Sequence, residues 1–174
     1  FELVEQTTRE GAEEYELPWG EVRSVSDAYR EMELEFTQRG RTVVFTARVF
    51  DDGVGFRFTW PEQDALDDFV ILDELTEFDF AGDPVAWWIP AYAGNRYEHL
   101  YRRHRTSALA AMPSVRAVHT PLTLETDRGL TVSVHEAALT DYASVTLVAE
   151  PQGLFACDLV PWSDRSEEHT SELQ

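Results

Sequence analysis

The chain has 174 residues, 33 Asp and Glu against 14 basic side chains, all of them Arg, and a formal charge of −19. Apolar residues make up 43% and aromatics 12%, enough to bury the core of one ordinary domain and too much for intrinsic disorder. So large an acid excess repels phosphate backbones and anionic lipid, which excludes nucleic acid and membrane surfaces as partners; no apolar run approaches the roughly 20 residues that span a bilayer.

In chain order, residues 1–16 are rich in Glu and Thr with weak periodicity, and are expected to form a strand end and a surface loop. Met32, Leu34 and Phe36 alternate with Glu33, Glu35 and Thr37, the period of a half-buried strand. A turn at Gln38-Arg39-Gly40-Arg41, a β-branched strand over 42–50, a second turn at Asp51-Asp52-Gly53 and a strand over 54–60 complete a predicted meander. From Pro61 the pattern loosens. Residues 66–69 and 75–80 form short elements, and Gly82-Asp83-Pro84 breaks the chain. Residues 86–111 are a basic, aromatic island, with Trp87, Trp88, Tyr92, Tyr97 and Tyr101 among Arg96, Arg102, Arg103 and Arg105. Strands are expected over 115–118, 122–126, 130–135 and 145–149, with a hairpin turn at Asp127-Arg128-Gly129. Eight or more short strands without a long amphipathic helix predict an all-β antiparallel sandwich.

The two ends are read separately. The chain begins with Phe1, not Met, and no basic-then-apolar leader pattern follows it, so the natural start is expected upstream. Residues 165–174, RSEEHTSELQ, resemble the in-frame translation of a sequencing-library adapter and are expected to be a non-native tail, which leaves 1–164 as the domain. Arg-only basicity beside this acid excess suits a salt-adapted source, with GC-rich codon use as the plainer explanation.

Familiar catalytic signatures fail. His135-Glu136 opens like a zinc helix motif, but the second histidine position is Leu139 and the flanking alternation belongs to a strand. Phosphate-binding glycine loops and the nucleophile elbow are missing, and Cys157, the lone cysteine, forms no internal disulfide. No catalytic residue is assigned within the chain.

Seven segments hold together instead: PWGE at 18–21, Tyr29, RVFDDGVGFRF at 48–58, LTEFDF at 75–80, AWWIPAY at 86–92, TPLTLET at 120–126 and HEAALTDYA at 135–143. Over roughly 14–164 the chain resembles the N-terminal β-sandwich of glycoside hydrolase family 97, a family of α-glucosidases and α-galactosidases. The resemblance implies a super-sandwich of galactose-mutarotase type, truncated at its N-terminus, that packs on a (β/α)₈ barrel carrying the catalytic carboxylates. It implies a calcium-dependent α-glycosidase as the parent, with this piece inactive alone, acting on oligosaccharides with α-linked glucose or galactose and exported to the periplasm or the medium. It also implies a calcium ion shared with the barrel, to which Glu136 contributes one ligand.

Calcium takes six to eight oxygen ligands, so one carboxylate completes a site but cannot make it. Asp141 and Tyr142 follow Glu136 in the same loop, Asp141 as a substrate contact and Tyr142 as a support. His135, alternating with Glu136, is expected to be structural. Trp88 and Tyr92 are assigned to substrate; adjacent strand residues point to opposite faces, so only one of Trp87 and Trp88 can reach a sugar. Arg102, Arg103 and Arg105 are expected to pair with carboxylates. The competing functions are a stand-alone carbohydrate-binding sandwich and a purely structural domain.

Overall fold

The computed structural model describes residues 1–66, 69–94, 97–140 and 142–160. The chain divides into two compact units, residues 1–68 and 69–174.

In the first unit, β1 (Glu2–Glu16), β2 (Ser24–Gln38), β3 (Arg41–Val49) and β4 (Val54–Thr59) form an antiparallel meander in that order. The β2–β3 turn places Arg39 and Gly40 at φ 54° and 77°, the left-handed pair that a two-residue hairpin requires. Phe50 N–H closes the next turn on Gly53 O at 2.8 Å. The predicted strands are present and β2 begins eight residues earlier, but the expectation for 1–16 is corrected. This segment is a full strand, paired residue by residue with β2 from Glu16↔Ser24 to Glu2↔Thr37, with one bulge between Leu3 and Glu5.

The period of two divides this sheet into an apolar and a polar face. On one face Leu34, Phe45 and Phe58 stand side by side across three strands, and the Phe45 ring lies 5.2 Å from Phe58 and 5.9 Å from Phe56. On the other, Glu31 stands directly between Arg9 on β1 and Arg48 on β3. Its carboxylate, only 4% exposed, accepts Arg9 Nε at 2.5 Å and Arg48 Nε at 2.6 Å, while Arg48 also reaches Glu13 at 2.9 Å. The Arg48 guanidinium lies 4.2 Å over the Tyr29 ring, which in turn covers Gly11 so closely that a Cβ there would meet it at 2.6 Å. These hydrogen bonds hold the Glu31 carboxyl below its ordinary value against the opposing effect of burial.

The second unit contains β5 (Glu77–Asp79), β6 (Val85–Trp88), β7 (Arg102–Arg105), a short helix α1 (Thr106–Ala110), β8 (Val118–His119), β9 (Leu122–Glu125), β10 (Thr131–Val134), β11 (Val145–Ala149) and β12 (Leu154–Leu159). They form two antiparallel sheets, β10-β9-β6-β7 and β5-β12-β11-β8. One core joins them. Ala86, Trp88, Leu122 and Leu124 come from the first sheet, Val118, Leu147 and Phe155 from the second, and Leu109 from α1.

This is the expected all-β sandwich. The chain crosses from one sheet to the other between β8 and β9, through a cis Thr120–Pro121 bond. Strands β6, β7 and β12 carry too few alternating residues to have been predicted. The hairpin at 127–129 is present, closed by Gly129 N–H on Thr126 O at 3.0 Å. Among the described residues, no helix is long and apolar enough to cross a membrane.

Candidate functional site

Glu136 lies two residues beyond the end of β10 and is half-buried like Val132 and Val134 of that strand, whereas His135 is exposed like Thr131 and Ser133. The Glu136 carboxylate accepts the backbone N–H of Val145 at 2.9 Å, so it ties the base of the loop over 137–144 to the first residue of β11. His135 Nδ1 lies 3.0 Å from Glu136 O. Across the loop, the Tyr142 hydroxyl donates to Glu74 at 2.9 Å.

Burial raises the Glu136 carboxyl above its ordinary value; the Val145 N–H opposes this, the charge of Glu74 adds to it and the Thr120 hydroxyl opposes it in turn. Burial, with Glu74 behind it, also raises the Tyr142 phenol. The Cys157 thiol is pushed up to about 12 by burial and then by Glu74 and Glu136. Burial is the largest cause at all three groups, and the negative charge of Glu74 adds to each shift. Among the described residues, no three His, Cys, Asp or Glu side chains converge to hold a metal ion. A lone carboxylate such as Glu136 fits a hard cation only as one oxygen ligand of the six to eight it takes.

The next residue along β11 belongs to a second network. Thr146, 1% exposed, donates to Asp158 O at 3.1 Å and lies 3.3 Å from the Tyr92 hydroxyl, which itself donates to Asp158 Oδ2 at 2.7 Å. Tyr92 has φ 57°, a left-handed conformation that a tyrosine adopts only when its surroundings fix it. Its ring is 4.4 Å from the Arg116 guanidinium, and the residue is 42% exposed. Glu136 and Tyr92 are thus both anchored at the start of β11.

The structure does not bring Trp88 to a surface. Trp88 is 0% exposed, is part of the central core, and its indole N–H reaches His104 Nδ1 at 3.2 Å. Its assignment to substrate is corrected, because a ring enclosed on both faces offers none to a sugar. Alternation gives Trp87 the outward position, 36% exposed. Asp141 and Arg96 lie outside the described residues. Arg103 pairs with Glu125 and Arg105 with Asp127, each at 2.8 Å, while Arg102 sits 5.2 Å from the Trp88 ring. Glu74 escaped the sequence reading because it lies in a stretch without regular structure, where no periodicity marks it.

The profile of the glycosyl-hydrolase 97 N-terminal domain matches residues 1–171. The chain belongs to the glycoside hydrolase family 97 N-terminal domain family. A family 97 enzyme from Pseudoalteromonas sp. strain K8, solved with acarbose, superposes with this family 97 domain at TM-score 0.84 and 35% identity, over 97% of this chain and 25% of that one. A variant of that enzyme, solved with panose, gives the same values. A β-arabinopyranosidase matches at TM-score 0.79 and 19% identity, over 94% of this chain and 27% of that one, and shares the fold. The family 97 domain thus spans about a quarter of the length of these solved relatives.

Proposed function

We propose that this domain is part of a glycosidase acting on α-linked glucose, and that Glu136 contributes one ligand to a calcium ion shared with a catalytic barrel. The observation that carries the reading is the Glu136 carboxylate, half-buried and fixed by the Val145 N–H at 2.9 Å, beside the Tyr142–Glu74 hydrogen bond at 2.9 Å. The substrate class is supported by the 35% identical relative, whose structures hold acarbose and panose; panose is a trisaccharide of α-linked glucose.

A calcium ion held by Glu136 would supply a positive charge able to orient sugar hydroxyls and stabilise charge developing on oxygen. The residues of this domain hold Glu136 in place: Val145 fixes the carboxylate, and the Tyr142–Glu74 hydrogen bond pins the loop that follows it. The acid and the base or nucleophile belong to the barrel, and their separation decides inversion or retention. The alternative of galactose as the sugar rests with the same barrel.

In the complete protein, Glu136→Gln keeps the size of the side chain and removes its charge. Calcium affinity, measured by calorimetry against a chelator, is expected to fall at least about 10-fold, with turnover of an aryl α-glucoside falling alongside it. Wild-type calcium affinity together with wild-type turnover in this variant would refute the assignment.

A further inference from the structure

We propose that the outer face of the β10-β9-β6-β7 sheet is a second glycan-binding surface, on which Trp87 stacks against the sugar rings of an α-glucan while Arg103, Glu125, Thr123 and Ser133 bind their hydroxyls. The proposal rests on the α-glucan reading above and goes beyond it, because it uses residues other than Glu136. Residues Val132 and Val134 belong to the inner side of the sheet, whereas Thr131 and Ser133 belong to the outer side.

The register builds this face. Ala86 and Trp88 turn into the core and Trp87 turns out; Leu122 and Leu124 turn in while Thr123 and Glu125 turn out. Cross-strand pairing then aligns Ser133, Thr123, Trp87 and Arg103 in one row across all four strands. The neighbouring row is Thr131, Glu125, Val85 and Arg105. At the usual strand spacing of about 4.8 Å, such a row is about 14 Å long, the scale of a short oligosaccharide. One indole stands in a field of hydroxyls, carboxylates and guanidinium groups.

The polar groups beside the indole are paired before any ligand arrives, Glu125 accepting Arg103 at 2.8 Å. Arg103 Cζ is 5.6 Å from the Trp87 ring centroid, whereas stacked carbon planes approach to about 3.5–4.0 Å. The guanidinium thus stands over the ring beyond direct stacking distance. A rim ordered by its own ion pair loses little freedom on binding.

The charges also select the ligand. Arg103 pairs with Glu125 and Arg105 with Asp127, so these four ions cancel within a chain of charge −19. A face of paired charges with a central apolar plate suits a neutral polyol, which presents C–H groups to the ring and hydroxyls to the N–H and carboxylate groups around it. Thr123 and Ser133 hydroxyls, 2.8 Å apart, extend the polar rim on the side away from Arg103.

The test uses the complete protein in affinity electrophoresis through soluble starch and in calorimetry with maltoheptaose, with turnover of a small aryl α-glucoside read from the same preparations. Trp87→Ala is expected to abolish retardation by starch and to raise KM for starch at least 10-fold, while KM for the aryl glucoside moves less than two-fold. Thr123→Lys, which crowds the ring without touching the core, is expected to do the same, and Trp87→Phe to keep most of the retardation. Glu136→Gln should show the reverse pattern, losing turnover and keeping retardation. Trp87→Ala and Thr123→Lys running like wild type in starch overturn the inference while leaving the Glu136 assignment intact. A wild-type protein that hydrolyses the aryl glucoside but is not retarded by starch overturns it equally. Loss of aryl-glucoside turnover on Trp87→Ala at unchanged melting temperature does so as well, by placing Trp87 in the catalytic pocket.

Discussion

Replacing Trp88 by alanine tests the separation of the two adjacent tryptophans into core and surface. A buried indole removes about 150–250 Å² from water, which at about 25 cal/mol per Å² corresponds to roughly 4–6 kcal/mol as an upper bound. Measured truncations of buried aromatics cost about 3–5 kcal/mol. Trp88 is 0% exposed and belongs to the cluster that joins both sheets, so collapse around the vacancy would have to move Leu122, Leu124, Leu147 and Phe155 together. A loss of about 4 kcal/mol is expected, a large part of the 5–15 kcal/mol that holds a typical domain.

Trp88→Phe fills most of the space but removes the hydrogen bond to His104, and is expected to cost about 1–2 kcal/mol. Trp87→Ala, from an exposed position, should stay below about 1 kcal/mol. Urea unfolding at neutral pH followed by far-ultraviolet circular dichroism measures all three through the midpoint at constant slope. A cost below about 1.5 kcal/mol for Trp88→Ala, or equal costs for Trp87→Ala and Trp88→Ala, would refute the placement of Trp88 as the central core residue.

Two further outcomes are expected of the isolated chain. Glu31→Gln should destabilise the first unit by about 1–3 kcal/mol at neutral pH, less than a fully buried pair costs, because Arg9 and Arg48 both remain partly hydrated. The folded-state value of Glu31 is depressed below the ordinary 4.5, so its contribution is complete above that value and lost as pH falls through the folded one. The gap between variant and wild type in urea midpoint should therefore close on acidification, and a gap independent of pH would contradict the ion-pair account. Cys157, with its thiol pushed up to about 12, should react with iodoacetamide at pH 8 roughly 10³-fold more slowly than in urea. Equal rates by mass spectrometry in the two conditions would argue against its burial beside Glu74 and Glu136.

Strands with an alternating apolar side were legible from sequence because burial on one face writes a period of two into the residues. This holds for β9 to β11, whose inward residues include Leu122, Leu124 and Leu147; in β2 to β4 the same alternation sorts apolar from polar residues, although β4 is exposed along its whole length. It fails for β1, where only Gly11 among 15 residues is partly buried and the strand exists through its ladder and its ion pairs with β2 and β3. It fails again for β7, RRHR, whose side chains carry no apolar period at all. At the candidate site, Glu136 was found through the HEAALTDYA segment, and no local pattern distinguishes it from the other glutamates. Trp88 and Trp87 were correctly recognised as facing opposite ways, but alternation alone does not say which side is core; the neighbours Ala86, Leu122 and Leu124 decide that. Glu74 became visible only through its hydrogen bond with Tyr142.

The arrangement of Arg9, Glu31 and Arg48 also determines how β1 can align. Strands are usually kept in register by their apolar side, since a slip of one residue exchanges the two faces, and β1 has almost no apolar side to exchange. Its alignment must be set by charge. A slip of one residue would set Thr8 or Glu10 against Glu31, and a slip of two would set Thr7 or Gly11 there. Each misalignment leaves the buried carboxylate without its β1 guanidinium, and one adds a second carboxylate beside it. Arg9 thus acts as an address label on an otherwise ambiguous strand, and moving that arginine two positions along β1 would be expected to move the strand with it.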